Sequence, residues 1–199
     1  MDRSLTLNKF VTEYKNRLND LLNSIDLEVL EKVIVCLISA FKAGNSIYVC
    51  GNGGSAATAS HIHADFRFFV RYFTKFRPKI FSLTDNVPLI TAIGNDISFD
   101  EIFVEQLKGV FSNGDVVICI SASGNSENVI RAAKFANENG GISLGFVGFD
   151  GGKLKETAKL SLYTPNAKGD YGPIEDLHMI FDHLIVNFLA QDEEFLTIS

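Results

Sequence analysis

The chain has 199 residues, 46% of them hydrophobic, with 18 basic against 24 acidic side chains and a formal net charge of −6. That length and apolar content suit one folded domain with a sizeable core, and exclude a disordered, collagen-like or disulfide-framework chain. The acidic balance argues against a general nucleic-acid binder, whose phosphate contacts need clustered Lys and Arg.

Leu7, Val11, Tyr14, Leu18, Leu21 and Ile25 recur at alternating steps of four and three. They predict an amphipathic first helix whose narrow apolar seam suits helix-to-helix packing. Asp26 stands as an N-cap before a second helix, which Gly44 and Asn45 close. From Ser46 the texture changes. SIYVC, KIFSL, DVVICI, ISLGFV and LSLYT are short apolar runs, and runs apolar on both faces point to a buried parallel sheet. The segments between them, roughly 55–68, 87–108, 126–139 and 152–158, predict crossover helices on both faces of that sheet. Ile174, Leu177, Phe181, Leu184, Ile185 and Phe188 predict a closing helix over 174–190. The expected fold is a doubly wound α/β domain with a parallel sheet of about five strands behind two leading helices. No linker, repeat or low-complexity tract interrupts it, so 1–199 reads as a single domain, with 1–44 helical and 45–190 the α/β core.

Cys36, Cys50 and Cys119 lie far apart in apolar runs with no CxxC pair, the pattern of reduced thiols. No apolar signal core opens the chain, and no apolar run reaches the roughly 18 residues that a bilayer span needs. A cytoplasmic location without membrane contact is expected.

Ligands of open parallel sheets bind beyond the carboxyl ends of the strands. Two turns there carry chemistry. Gly51-Asn52-Gly53-Gly54-Ser55-Ala56 follows the first strand; its glycines let backbone N–H groups approach a ligand, and the next helix offers its positive end to an anion. Ser121-Ala122-Ser123-Gly124-Asn125-Ser126 follows the third, and its three hydroxyls converge on a helix start where a phosphate accepts several hydrogen bonds. Either turn alone also serves plain structural ends, Ser126 as an N-cap for instance; two of them in one sheet favour a site. Gly51, Gly53 and Ala56 satisfy the dinucleotide pattern GxGxxA, but the region about 20 residues on carries Arg77 and Lys79 instead of an acidic residue, leaving only an NADP-like variant. No Lys completes a Walker loop. A sugar phosphate fits the anion better than a dinucleotide.

His61 and Asp65 stand at i and i+4 on the helix after the first turn, where an imidazole and a carboxylate can hold one metal, share proton transfer, or form an ordinary exposed pair. Glu175, His178 and His183 fall on the closing helix, so all four histidines occupy two short helical stretches. Glu175 and His183, eight residues apart, are separated by about 12 Å of helical rise and bracket a shared site from its two ends. A metal or substrate then belongs between the two helices, one of them donated in some arrangements by a neighbouring subunit. The stretch from Phe66 to Lys79 interleaves Arg67, Arg71, Lys75, Arg77 and Lys79 with aromatics, a pattern that fits a subunit contact at the rim of a phosphate site better than nucleic acid in so acidic a chain. Asn95 and Asp96 form a turn or, through the carboxylate, hold sugar hydroxyls.

CGNGGSAATASHIHADF, TAIGNDISFDEIF, GDVVICISASGNSENVIRAA and FDGGKL, in this order, resemble the sugar isomerase (SIS) domain family. Within it they resemble the enzymes that convert sedoheptulose 7-phosphate to D-glycero-D-manno-heptose 7-phosphate. The resemblance implies a flavodoxin-like three-layer sandwich and aldose–ketose isomerisation in a homotetramer with sites at subunit interfaces. Non-catalytic phosphosugar-binding or protein-interaction modules of the same family, and isomerases of other phosphosugars, are the alternatives. By the same resemblance Asn52, Gly53, Gly54, Ser55, Asn95 and Asp96 contact substrate. Ser121, Ser123 and Ser126 hold the phosphate through their hydroxyls, and Ala122, also at the substrate site, stands where the family carries Thr. Asp65 and His183 are the implied acid–base pair, and His61, Asp65, Glu175 and His183 the implied zinc ligands. Asp65 stands where the family has Glu, and Glu175, also a substrate contact, where it has Gln.

Overall fold

A computed structural model describes residues 3–191 of the chain; residues 1–2 and 192–199, counted with the domain above, lie outside the described residues. The chain opens with α1 (Arg3–Asn23) and α2 (Leu27–Ala43), the expected pair. The Asp26 side chain accepts a hydrogen bond from the Val29 N–H at 3.1 Å, and Gly44 at φ 72° closes α2 in the left-handed region. Then follow β1 (Ser46–Gly51), α3 (Gly54–Asp65), a π-helical turn (Phe66–Val70), α4 (Arg71–Phe73) and β2 (Lys79–Ser82). Next come α5 (Val87–Asp96), a 3-10 turn (Phe99–Glu101), α6 (Val104–Leu107), β3 (Val116–Ser121) and α7 (Glu127–Glu138). The chain continues through β4 (Ile142–Val147), α8 (Gly152–Thr157), β5 (Leu160–Tyr163) and α9 (Tyr171–Gln191).

The five strands form one parallel sheet in the order β2-β1-β3-β4-β5, with Val49 opposite Ile118 and Cys50 opposite Cys119. The central strands β1, β3 and β4 are buried on both faces because helices cover both, whereas the edge strand β2 buries Ile80 and leaves Phe81 44% exposed. Ile47, Val49, Ile118, Ile120 and Phe146 point into a layer shared with α2, α3 and α9. Tyr48, Cys50, Val117 and Cys119 point the other way, against α5, α7 and α8. The Cys50 and Cys119 sulfurs lie 3.9 Å apart as free, fully buried thiols; Cys36 is half-buried. Strand order reverses between β1 and β3, which fixes the crevice outside their carboxyl ends as the ligand position of this topology.

The helix expected over 87–108 is broken. Gly94, Asn95 and Asp96 are poor helix interiors, and α5 stops there, with the N–H groups of Ile97 and Ser98 both returning to the Ile93 carbonyl. The closing helix begins three residues earlier than expected, at Tyr171, since Pro173 in its first turn needs no backbone donor. The seam of α1 is buried only toward its C-terminal end: Leu21 is buried, whereas Leu7 and Phe10 are 61% and 56% exposed. The Tyr14 hydroxyl donates to Asp176 on α9, which with burial pushes its pKa up to about 12 and latches α1 to α9. Among the described residues no helix is long and apolar enough to cross a membrane.

Candidate active site

The two turns singled out in the sequence meet at the β1/β3 switch point. They line a cleft of about 220 Å³, to which Asn52, Gly53, Gly54, Ser55, Ser121, Ala122, Ser123 and Ser126 contribute, with Tyr171 and Glu175 from the start of α9. Gly53 adopts φ 54°, a conformation that L side chains rarely adopt, and it opens α3. A Cβ at Gly54 would collide with the Glu175 carboxylate, so glycine there lets the two helices close. The turns are held at a fixed spacing by a reciprocal amide pair: Asn52 Nδ2 donates to Asn128 at 2.8 Å and Asn128 Nδ2 donates to Asn52 at 3.1 Å. The Asn52 side chain is therefore spent on Asn128, which is buried on α7, and it faces the cleft as a rigid strut.

The hydroxyls differ. Ser121 Oγ accepts from the Gly124 N–H at 3.1 Å and lies 3.3 Å from Ser126 Oγ, while Ser123 Oγ accepts from the Asn125 N–H at 3.2 Å. Ser126 occupies the N-cap of α7, yet its hydroxyl makes no capping bond and meets only the Ser121 hydroxyl across the turn. Ala122 is buried, and its carbonyl accepts from the Gly148 N–H at 3.1 Å. Serine hydroxyls and a helix N-terminus of 12 residues thus converge on one cleft wall, an anion site by construction.

A second cluster lies along the same helix pair. His61 Nε2 is 3.1 Å from His183 Nε2, 3.6 Å from Asp65 Oδ2 and 3.9 Å from Asp182 Oδ2. One donor atom from each of these four residues lies within 4.8 Å of all the others. Neighbouring donors around a tetrahedral zinc ion, with bonds of roughly 2.1 Å, sit about 3.4 Å apart. Two imidazoles and two carboxylates at these spacings fit a divalent cation. Burial and the Asp65 charge push Asp182 up to about 8. Burial pushes the neighbouring His178 down to about 3, and among the described residues neither its buried ring nitrogens nor the Asp182 carboxylate oxygens have a hydrogen-bond partner.

Not every expected residue joins these two groups. Glu175, placed among the metal ligands by resemblance, is absent from the four-residue cluster and lies in the cleft against Gly54, where desolvation raises its pKa. The helical rise between residues 175 and 183 separates the two positions. Asn95 and Asp96 are exposed at the end of α5, where Asn95 Nδ2 donates to Asp96 at 2.7 Å, and neither lines the cleft. His63 points away from His61 to Asp85, which it meets at 3.1 Å and which also accepts from Ser60 and Ser82. In the basic stretch, Arg77 donates to the carbonyls of Arg71, Thr74 and Phe76, and Lys79 to that of Gly44. Asp182 and Asn128 were missed as site residues. The signal for Asp182 was a carboxylate in phase with Ile174, Leu177, Phe181 and Ile185, where the helix buries its face.

The fold and cleft define a doubly wound α/β protein with a serine- and glycine-lined cleft at its switch point. The model of the SIS domain matches residues 9–148, and the chain belongs to that family. It is 42% identical over 167 residues to a phosphoheptose isomerase of Aliarcobacter butzleri, covering 83% of this chain and 86% of that one. A phosphoheptose isomerase of Clostridium acetobutylicum is 37% identical over 166 residues, covering 83% of each. Among solved structures, phosphoheptose isomerase from Neisseria gonorrhoeae superposes with a TM-score of 0.84 at 28% identity, over 95% of this chain and 99% of that one.

Proposed function

We propose that the protein is a phosphosugar aldose–ketose isomerase that converts sedoheptulose 7-phosphate to D-glycero-D-manno-heptose 7-phosphate. The observation that carries this reading is the pairing of two sites along α3 and α9. Gly54 meets Glu175 at one end and His61 meets His183 at the other. The seven- and eight-residue separations correspond to about 10–12 Å of rise, on the scale of an extended seven-carbon phosphate ester. A phosphate at the serine turn then leaves the first two carbons beside His61, Asp65 and His183.

Ser121, Ser126 and the N-terminus of α7 bind the phosphate, and that remote binding energy orients the reacting end. Glu175 accepts hydrogen bonds from sugar hydroxyls along the chain. Asp65 and His183 are the acid–base pair: a proton leaves C1 of the ketose, the C2 oxygen is protonated to give the enediol, and a proton returns to C2 as the C1 hydroxyl gives up its own. A divalent cation such as zinc, held by His61, Asp65 and His183, would polarise the carbonyl and hydroxyl oxygens. Exposed Leu7, Phe10 and Val11 on α1, and the apolar groove between α2 and α9 that reaches His183, support self-assembly as a homotetramer. Neighbouring subunits in that assembly would bring Asn95, Asp96 and the basic stretch to the site rim.

Turnover of the purified protein across a panel of ketose and aldose phosphates tests the reading. Interconversion of the two heptose 7-phosphates is expected. Turnover of a different phosphosugar alone would move the assignment to that sugar, and saturable binding with no turnover of any would make the protein a sugar-phosphate receptor.

A further inference from the structure

We propose that Asp182 is the fourth protein ligand of the divalent cation held by His61, Asp65 and His183, in the place that resemblance gives to Glu175. The proposal rests on the metal site of the isomerase reading and changes its composition. Position on α9 supplies the first argument. Asp182 adjoins His183 and reaches within 3.9 Å of His61 Nε2, whereas Glu175 sits about two turns earlier, with its carboxylate against Gly54 in the cleft.

The second argument is independent of distance. Asp182 is 1% exposed, and neither carboxylate oxygen has a hydrogen-bond partner among the described residues. Buried polar groups are almost always paired, and a buried carboxylate without donors is retained against a large desolvation cost. A cation at the focus of the four donor atoms satisfies that carboxylate directly. Charge agrees with this: two carboxylates and two neutral imidazoles neutralise a dication, and a third carboxylate from Glu175 would leave an excess negative charge beside an anionic substrate. The arrangement also divides the labour by side. His61, Asp65 and His183 face solvent in part, and Asp182 closes the ring from the interior. Glu175 is left free to read sugar hydroxyls.

Metal-stripped wild type, Asp182→Asn and Glu175→Gln are titrated with Zn2+ alone by calorimetry and melted in EDTA and in zinc. Asp182→Asn is expected to weaken zinc binding by more than about tenfold, at least the scale seen when even an outer-shell partner is removed. It is also expected to lose most of the zinc-induced rise in melting temperature. Glu175→Gln is expected to bind zinc within about twofold of wild type. A purely structural Asp182 would instead leave zinc affinity unchanged, which overturns the proposal, as does a greater loss of affinity in Glu175→Gln. Should Asp182→Asn not fold, the Co2+ absorption band of wild type and Glu175→Gln decides: an unchanged band upholds the proposal and an altered one places Glu175 on the metal. Turnover is scored apart. Zinc binding that depends on Asp182 in a protein that isomerises nothing removes the isomerase reading alone, and turnover with zinc affinity indifferent to Asp182 removes this ligand alone.

Discussion

The two ends of the α3–α9 pair are built in opposite ways. At the cleft end the two turns are braced by hydrogen bonds inside the protein: Asn52 with Asn128, Ser121 with Gly124, Ser123 with Asn125. At the other end two imidazoles and two carboxylates crowd together, and the most buried of them, Asp182, has none among the described residues. The first end is preorganised by its own hydrogen bonds and needs only a ligand that complements them. The second is a cluster that a divalent cation would complete, and on the proposed reading that is the difference between gripping a substrate and transforming it.

That contrast breaks most sharply at the reacting end. Asp65→Asn and His183→Ala should each lower isomerase turnover by about 10²–10⁴-fold in a steady-state assay while phosphosugar affinity changes little. Equal losses in affinity would move these residues to the gripping end. Next in size, Ser126→Ala should raise the KM for the phosphosugar by about tenfold with kcat nearly unchanged, the effect of one hydrogen bond to a charged group. Asn128→Ala should destabilise the fold by about 1–3 kcal/mol in urea melts, since it leaves the Asn52 amide unpaired. A double-mutant cycle with Asn52→Ala should then show coupling between the two amides. The smallest effect concerns pH. Burial holds His178 at about 3 against an ordinary 6.5, so the unfolded chain takes up the extra proton between those values. Stability from this residue is complete above about 6.5 and falls as the pH drops toward 3. His178→Phe should flatten that part of the melting-temperature profile.

The sheet, its flanking helices and both ligand turns were legible because each is written locally. Apolar runs bounded by turn residues mark the strands, Asp26 and Gly44 mark the ends of α2, and glycine or serine clusters follow β1 and β3. The Asn52–Asn128 strut was not legible, since its halves are 76 residues apart and meet only once β1 and β3 pair. Three of the four clustered residues, His61, Asp65 and His183, were legible from spacing and resemblance; Glu175 was grouped with them by resemblance, although its helical separation from His183 already placed the two at opposite ends of the site. The break after α5 is written in Gly94, Asn95 and Asp96, poor helix interiors inside the span expected as one crossover helix.

The thiols paired across the sheet give this protein a built-in reporter. Cys50 and Cys119 lie directly behind the two ligand turns, sealed from solvent, and contact with Cys50 together with burial holds the Cys119 thiol well above its usual range. A maleimide dye can modify them only when the middle of the sheet parts, whereas half-buried Cys36 reacts through smaller openings. Labelling kinetics at the two classes of cysteine would therefore separate breathing of the outer helices from rupture of the scaffold.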